Sequence, residues 1–239
     1  MVRLRKARDR GVFRNHWLDA RFTFSFGPYH DERFMGYSDL LVLNDDRVQP
    51  GQGFGPHGHV DIEALSYPLT GAIEHRDSLG NIERIGVGDV QHMTAGRGIR
   101  HSEMNASAHE PEHHLQFWIA PAETGLPPAH AVRHFSRSAK LNRLCLIASA
   151  DGREGSHAVP QDIRIFASVL AHAALDHEPP AGRAGYVHVA RGELHLNGHG
   201  LAEGDGAFIE AESRIQFSAP DEAEFLFFDL RPIGVHPTA

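Results

Sequence analysis

Apolar residues in this chain come in short runs, each closed by glycine, proline, aspartate or asparagine, and none holds a helical period beyond a turn or two. Phe22–Phe26, Ala64–Leu69, Leu115–Ala120, Leu144–Ala148, Ile163–Leu170, Gly185–Ala190 and Glu224–Leu230 are among them. They are rich in valine, isoleucine, leucine and phenylalanine, side chains that suit a pleated, half-buried surface. The 24 glycines and 14 prolines are spread along the chain and supply the turns. This pattern predicts an all-β fold: a sandwich, jelly roll or barrel. A length of 239 residues leaves room for two compact β domains.

Weak internal similarity supports two copies of one unit. Leu69-Thr70-Gly71-Ala72-Ile73-Glu74-His75 matches Ala190-Arg191-Gly192-Glu193-Leu194-His195-Leu196 in its glycine turn and following strand. Each is followed by a Gly-Asp turn, Gly88-Asp89 in the first and Gly204-Asp205 in the second. Gly125, Pro127 and Pro128 break the pattern between them. The expected domains are therefore residues 1–130 and 131–239.

Within the first unit, His57-Gly58-His59 and His101-Ser102-Glu103 share a two-residue spacing. On a strand that spacing puts both side chains on one face. Two neighbouring strands would then aim three imidazoles and a carboxylate at one point. This donor set suits one divalent transition metal (Fe, Mn, Co, Ni, Cu or Zn) and leaves positions open for substrate or dioxygen. At the equivalent offsets the second unit has Glu178, Pro180, Phe217 and Ala219, so a single metal is expected, in the first unit. The other histidines, His75, His130 and His236 among them, are read as surface or hydrogen-bonded side chains.

The formal net charge of -8 argues against nucleic acid or an anionic membrane as a partner. The basic residues Arg3, Arg5, Lys6, Arg8 and Arg10 are read as a solvated first strand or arm. The one cysteine, Cys145, excludes an internal disulfide and sits in an apolar run as a small buried hydrophobe. No stretch is apolar for long enough to span a bilayer, and the N-terminus lacks the apolar core of a signal peptide. Cytoplasmic location is the expectation.

Gly51, His57, His59, Gly71, Gly88, Gly96, His101 and Asn105 resemble the two motifs of the cupin superfamily, with Glu63 one residue short of the usual acidic ligand position. The runs Pro56-His57-Gly58-His59, Glu74-His75-Arg76-Asp77-Ser78-Leu79-Gly80-Asn81 and Gly88-Asp89-Val90-Gln91-His92-Met93-Thr94-Ala95-Gly96-Arg97-Gly98-Ile99-Arg100-His101-Ser102-Glu103 resemble the pirin family in particular. The resemblance implies two tandem cupin jelly-roll barrels, with His57, His59, His101 and Glu103 as ligands to iron or a similar divalent ion. Some bacterial members open flavonols with dioxygen, which implies a small aromatic substrate, O2, and Glu103 as the catalytic proton acceptor. Phe54, Met93, Phe117 and Trp118 are candidates for the apolar pocket wall. Other members are regulators, which implies the alternative of a non-enzymatic metal or redox sensor with a protein partner. A different cupin reaction on a small polar substrate ranks third. Two cupin units in one chain can cover each other's faces, so a monomer is expected. The chain departs from the family at Val60-Asp61-Ile62, where Arg-Gly-Phe is usual, and at His92, where tryptophan is usual. Asp61, Glu63 and Asn105 are candidates to support the ligand histidines.

Overall fold

The computed structural model describes residues 1–234; His236 lies outside them. The chain divides into two compact units, Gly11–His134 and a second made of Met1–Arg10 with the residues from Phe135 onward. Strands dominate both. In chain order they are β1 (Val2–Arg5), β2 (Gly11–Arg14), β3 (Leu18–Phe22), β4 (Leu40–Val48), β5 (Gly53–His59), β6 (Glu63–Thr70), β7 (Ala72–Asp77), β8 (Ile82–Gly86), β9 (Asp89–Thr94), β10 (Ile99–Asn105), β11 (Glu112–Ile119) and β12 (Ala129–His134). Then follow β13 (Cys145–Ser149), β14 (His157–Ala158), β15 (Arg164–Ala171), β16 (Ala174–His177), β17 (Ala184–Leu196), β18 (His199–Ala202), β19 (Gly206–Glu210), β20 (Ile215–Ser218) and β21 (Glu222–Leu230). Among the described residues, no helix is long and apolar enough to cross a membrane.

The first unit holds a seven-stranded sheet in the order β12-β9-β6-β11-β4-β3-β2 and a four-stranded sheet in the order β5-β10-β7-β8. Alternation sorts the side chains of β11. Leu115, Phe117 and Ile119 form one buried row, while His114, Gln116 and Trp118 take the other face. The run Phe22–Phe26 is only partly strand. β3 ends at Phe22, and Phe26 instead bridges to Tyr29 in a turn that stacks aromatic rings beside Phe22.

The second unit is built round the long β17, which pairs with β18, β19, β20 and β21. Its apolar core includes Val187, Val189, Leu194, Phe217, Phe225 and Phe227, all almost fully buried. The repeat noted in the sequence has a structural counterpart within each unit. Gly71 backs onto Glu112 at the start of β11, and Gly192 backs onto Glu222 at the start of β21.

The first ten residues, expected with the first unit, belong to the second. β1 pairs antiparallel with β19, supplying partners to that strand's outer edge. They do form a first strand, and Arg3 and Arg8 on it and just after it are exposed, but Arg5 and Arg10 are not. Arg5 and Arg10 are each 4% exposed, and the Arg3 guanidinium lies 4.0 Å from the Phe208 ring centroid. Asp205, in the Gly-Asp turn, accepts from Lys6 Nζ at 2.8 Å and from the Ala7 amide at 2.7 Å. Long basic side chains bury their stems when a partner meets the head group.

Candidate metal centre

β5 and β10 run antiparallel, with His57 opposite His101 and His59 opposite Ile99. The period of two puts His57 and His59 on one face, and their rings lie 4.7 Å apart, centroid to centroid. The His101 ring lies 4.5 Å from that of His57 and 4.9 Å from that of His59. Each of the three offers a ring nitrogen within 4.8 Å of the others. Between His101 and Glu103 the register shifts, so that Glu103 falls opposite Phe54. Such a bulge re-aims the side chains that flank it.

These donors fit a metal. His101 is 3% exposed, and neither ring nitrogen has a hydrogen-bond partner among the described residues. A buried imidazole with both nitrogens unpaired calls for an explanation, and a ligated ion supplies one. His57 Nδ1 lies 2.8 Å from the Gly55 carbonyl, to which it donates, leaving Nε2 as the lone-pair nitrogen. Burial, aided by the neighbouring imidazoles, pushes His101 down to about 4, and burial with the proximity of His57 lowers His59. Both rings are therefore neutral, the form that binds a metal, over most of the working pH range.

Glu103 stands slightly apart from this trio. One carboxylate oxygen accepts from Ser66 Oγ at 3.2 Å and the other from Gln116 Nε2 at 2.7 Å. With His101 and His75 it makes a second donor group within 4.8 Å. Of the four residues singled out by spacing, His57, His59 and His101 form one group, and Glu103 joins His101 in a second that includes His75. Burial would raise the Glu103 pKa, but His101, His114, His75 and the Gln116 amide outweigh it and hold it below the usual range.

His75, expected to be a surface or hydrogen-bonded side chain, is the latter: it is fully buried beside the centre and opposite Glu103 in the β7–β10 register. It donates from Nε2 to Asp77 at 3.0 Å and accepts at Nδ1 from Gln91 at 3.0 Å, with His130 stacked on its face at 4.1 Å. Both nitrogens are engaged, so His75 supports the centre instead of offering a free donor. The clue was in the chain, because His75-Arg76-Asp77 repeats the two-residue spacing of the other pairs.

The candidate supports lie elsewhere. Glu63 accepts from His92 at 2.6 Å and from Thr94 at 2.7 Å, Asp61 accepts from the Gly125 amide, and Asn105 ties Val48, Glu110 and Ser107 together. The pocket candidates divide. A cavity of about 330 Å³ opens onto His57, His59 and Glu103, and Phe54 and Trp118 line it. Phe117 and Met93 do not. Phe117 neighbours Trp118 in sequence and so faces the opposite side of β11, and Met93 is packed against Ala64, Ala95 and Ile99. The remaining wall was not foreseen. Phe13, Trp17, Leu18, Phe22 and Phe26 come from β2, β3 and the turns beside them, with Asn44, Asp46 and Gln116 as polar floor.

Behind that floor lies a buried charge network. His114 Nδ1 meets the Glu112 carboxylate at 2.8 Å, and its Nε2 lies 3.8 Å from Asp46. Burial pushes His114 down, but Glu112, Asp46 and Glu103 more than offset it and hold the imidazolium up at about 9. Burial raises Asp46 to about 7, with His114 opposing and Asp45, Glu112 and Glu103 adding. A histidine whose native pKa is raised contributes stability that is complete below pH 6.5 and is lost as the pH climbs through about 9. Asp46, also raised, has released its proton by then. The metal-free protein is therefore expected to lose roughly 2–3 kcal/mol of unfolding free energy between pH 7 and 9.5. Urea denaturation across that range tests this, and a flat profile contradicts it.

Comparison with known proteins follows the same lines. The family profile described as Pirin matches residues 2–119, and that described as Quercetinase C-terminal cupin domain matches residues 146–230. Quercetin 2,3-dioxygenase of Escherichia coli K12 is 42% identical, over 98% of this chain and 100% of that one. A pirin-like protein of Caulobacter vibrioides is 37% identical over 89% and 92%. Among solved structures, the crystal structure of the bacterial pirin YhhW from Escherichia coli in complex with nickel(II) superposes with a TM-score of 0.93 at 42% identity, covering 98% of this chain and 100% of that one.

Proposed function

The chain belongs to the pirin family, built from two cupin-type domains, and on that footing we propose that it is a metal-dependent dioxygenase that opens the ring of a flavonol such as quercetin. One observation carries the proposal: a largely aromatic cavity ends on His57, His59 and Glu103, with the unpaired nitrogens of His101 beside them. A volume of about 330 Å³ lies at the small end of the range for ligand sites.

His57, His59 and His101 would hold a divalent transition metal, with Glu103 within reach of His101 as the fourth donor. Iron is the working assignment, and the donor set accepts Mn, Co, Ni, Cu or Zn as well. When bound, the ion supplies Lewis acidity to the oxygens of substrate and dioxygen. The protein's own part is positioning and proton transfer. Trp118 and Phe54 flank the ring system, Trp118 packing edge-on to Phe26 at 5.2 Å and Phe54 to Trp17 at 5.3 Å. Glu103, ionised and held by Ser66 and Gln116, takes the proton of the substrate's enolic hydroxyl. The O–H bond of the substrate breaks, a carboxyl O–H forms, and the oxyanion left behind is the species open to dioxygen. Ring opening then places both atoms of dioxygen in the product and releases one ring carbon as carbon monoxide.

The test is carbon monoxide release from quercetin in air, using protein reconstituted separately with Fe, Mn, Co, Ni and Cu. Release with at least one ion, none without metal, and slower release from Glu103→Gln are expected. Stoichiometric metal binding with no release from any reconstituted form sinks the proposal.

A further inference from the structure

The reaction above leaves two polar side chains of the cavity without a task. Asn44 and Asp46 stand two residues apart on β4, so both face the same way, and both line the cavity. Each is 2% exposed. Asn44 Oδ1 and Asp46 Oδ1 have no hydrogen-bond partner among the described residues.

Their cross-strand neighbours on β11 do not satisfy them. Asn44 lies opposite Gln116, whose amide is committed to Glu103 at 2.7 Å. Asp46 lies opposite His114, which is committed through Nδ1 to Glu112. The other ring nitrogen of His114 is 3.8 Å from Asp46 Oδ2, beyond hydrogen-bonding range. Buried acceptors without donors are destabilising and rare, and two side by side in one cavity wall call for an explanation, which a ligand donor supplies. The surrounding wall, with Phe22, Phe54 and Trp118, suits a neutral planar molecule.

Resting on the dioxygenase reading, we propose that Asn44 and Asp46 receive a second hydroxyl group of the substrate. The cavity then selects aromatic molecules that carry a hydroxyl donor besides the one that meets Glu103. The two oxygens act as positioning acceptors, and no bond at Asn44 or Asp46 is made or broken.

The experiment compares naphthalene-2,3-diol with naphth-2-ol by isothermal titration calorimetry at pH 8. Metal-free protein is used so that chelation of an ion by the diol cannot create the preference. The wild type is expected to bind the diol about tenfold to a hundredfold more tightly, the range for a hydrogen bond to a charged acceptor. Asp46→Ala is expected to bring the two affinities within about threefold, with the loss falling on the diol. If that variant fails to fold, Asp46→Asn keeps the volume and is expected to cut the ratio by about threefold or more. Equal affinities in the wild type, no affinity for either ligand, or a preference unaltered in the variants overturns the proposal. Quercetin turnover by the holoenzyme is read separately. A diol preference without turnover keeps the acceptor pair and sinks the dioxygenase reading, and turnover without a diol preference does the reverse.

Discussion

His101→Ala is expected to abolish metal binding and metal-dependent turnover while leaving the metal-free fold about as stable as before. His101 belongs to both donor groups of the centre, so its loss leaves His57 and His59 without a third imidazole and separates them from Glu103. Losing a group that merely supports a ligand costs tenfold to a hundredfold in affinity, and losing the shared ligand exceeds that. The metal-free stability follows from two opposed effects. The buried imidazole has no hydrogen-bond partner on either nitrogen, so removing it relieves a penalty of about 1–3 kcal/mol. The void it leaves costs a similar amount. In the wild type, a metal at a thousandfold excess over its dissociation constant adds about 4 kcal/mol, which raises Tm by roughly 8–16 °C in a chain of this size. Scanning calorimetry with and without nickel(II) therefore separates the cases. The wild type should shift upward and the variant should stay where its metal-free form melts. A variant that retains the full metal-linked shift removes His101 from the centre.

That centre was legible because strand geometry has a period of two, and a period of two survives in the bare sequence. His57-x-His59 and His101-x-Glu103 announce shared faces without any knowledge of the sheet. The same rule, applied to Phe117 and Trp118, would have excluded one of them from the pocket at once, because adjacent strand residues diverge. What the sequence hid depends on cross-strand pairing. Asn44, Asp46 and Gln116 become one polar floor, with His114 behind it, only when β4 and β11 take their register, and those strands are far apart along the chain. The aromatic wall from β2 and β3 was hidden for the same reason, as was the pairing of the first ten residues with β19. Local spacing reveals which side chains share a face, and only the sheet reveals which faces meet.

Gly53→Ala is expected to cost about 3 kcal/mol or more and to weaken metal binding with it, although residue 53 touches no metal. Gly53 has φ +156°, a conformation that residues with a Cβ rarely adopt. A Cβ there would drive into the Glu103 carbonyl oxygen and would lie 2.6 Å from Met104 Cα. Both obstacles are backbone of β10, so no side chain can rotate away. Relief requires β5 to lift from β10 at the point where the register already shifts. His57 and His59 ride on β5, and His101 and Glu103 ride on β10, so the lift opens the gap between the donor pairs. A displacement of under an ångström is enough to spoil a ligand set that must meet one ion. Gly55 supplies the control. It sits two residues further along the same strand, its φ lies outside the left-handed range, and a Cβ there meets nothing within 4 Å. Gly55→Ala is therefore expected to stay within about 0.5 kcal/mol of the wild type and to bind metal normally. Measured side by side, Tm should fall by roughly 6–12 °C for the first substitution and barely move for the second. Equal effects from both would mean that the strand tolerates a Cβ against β10, and that close approach of these two backbones is not what assembles the site.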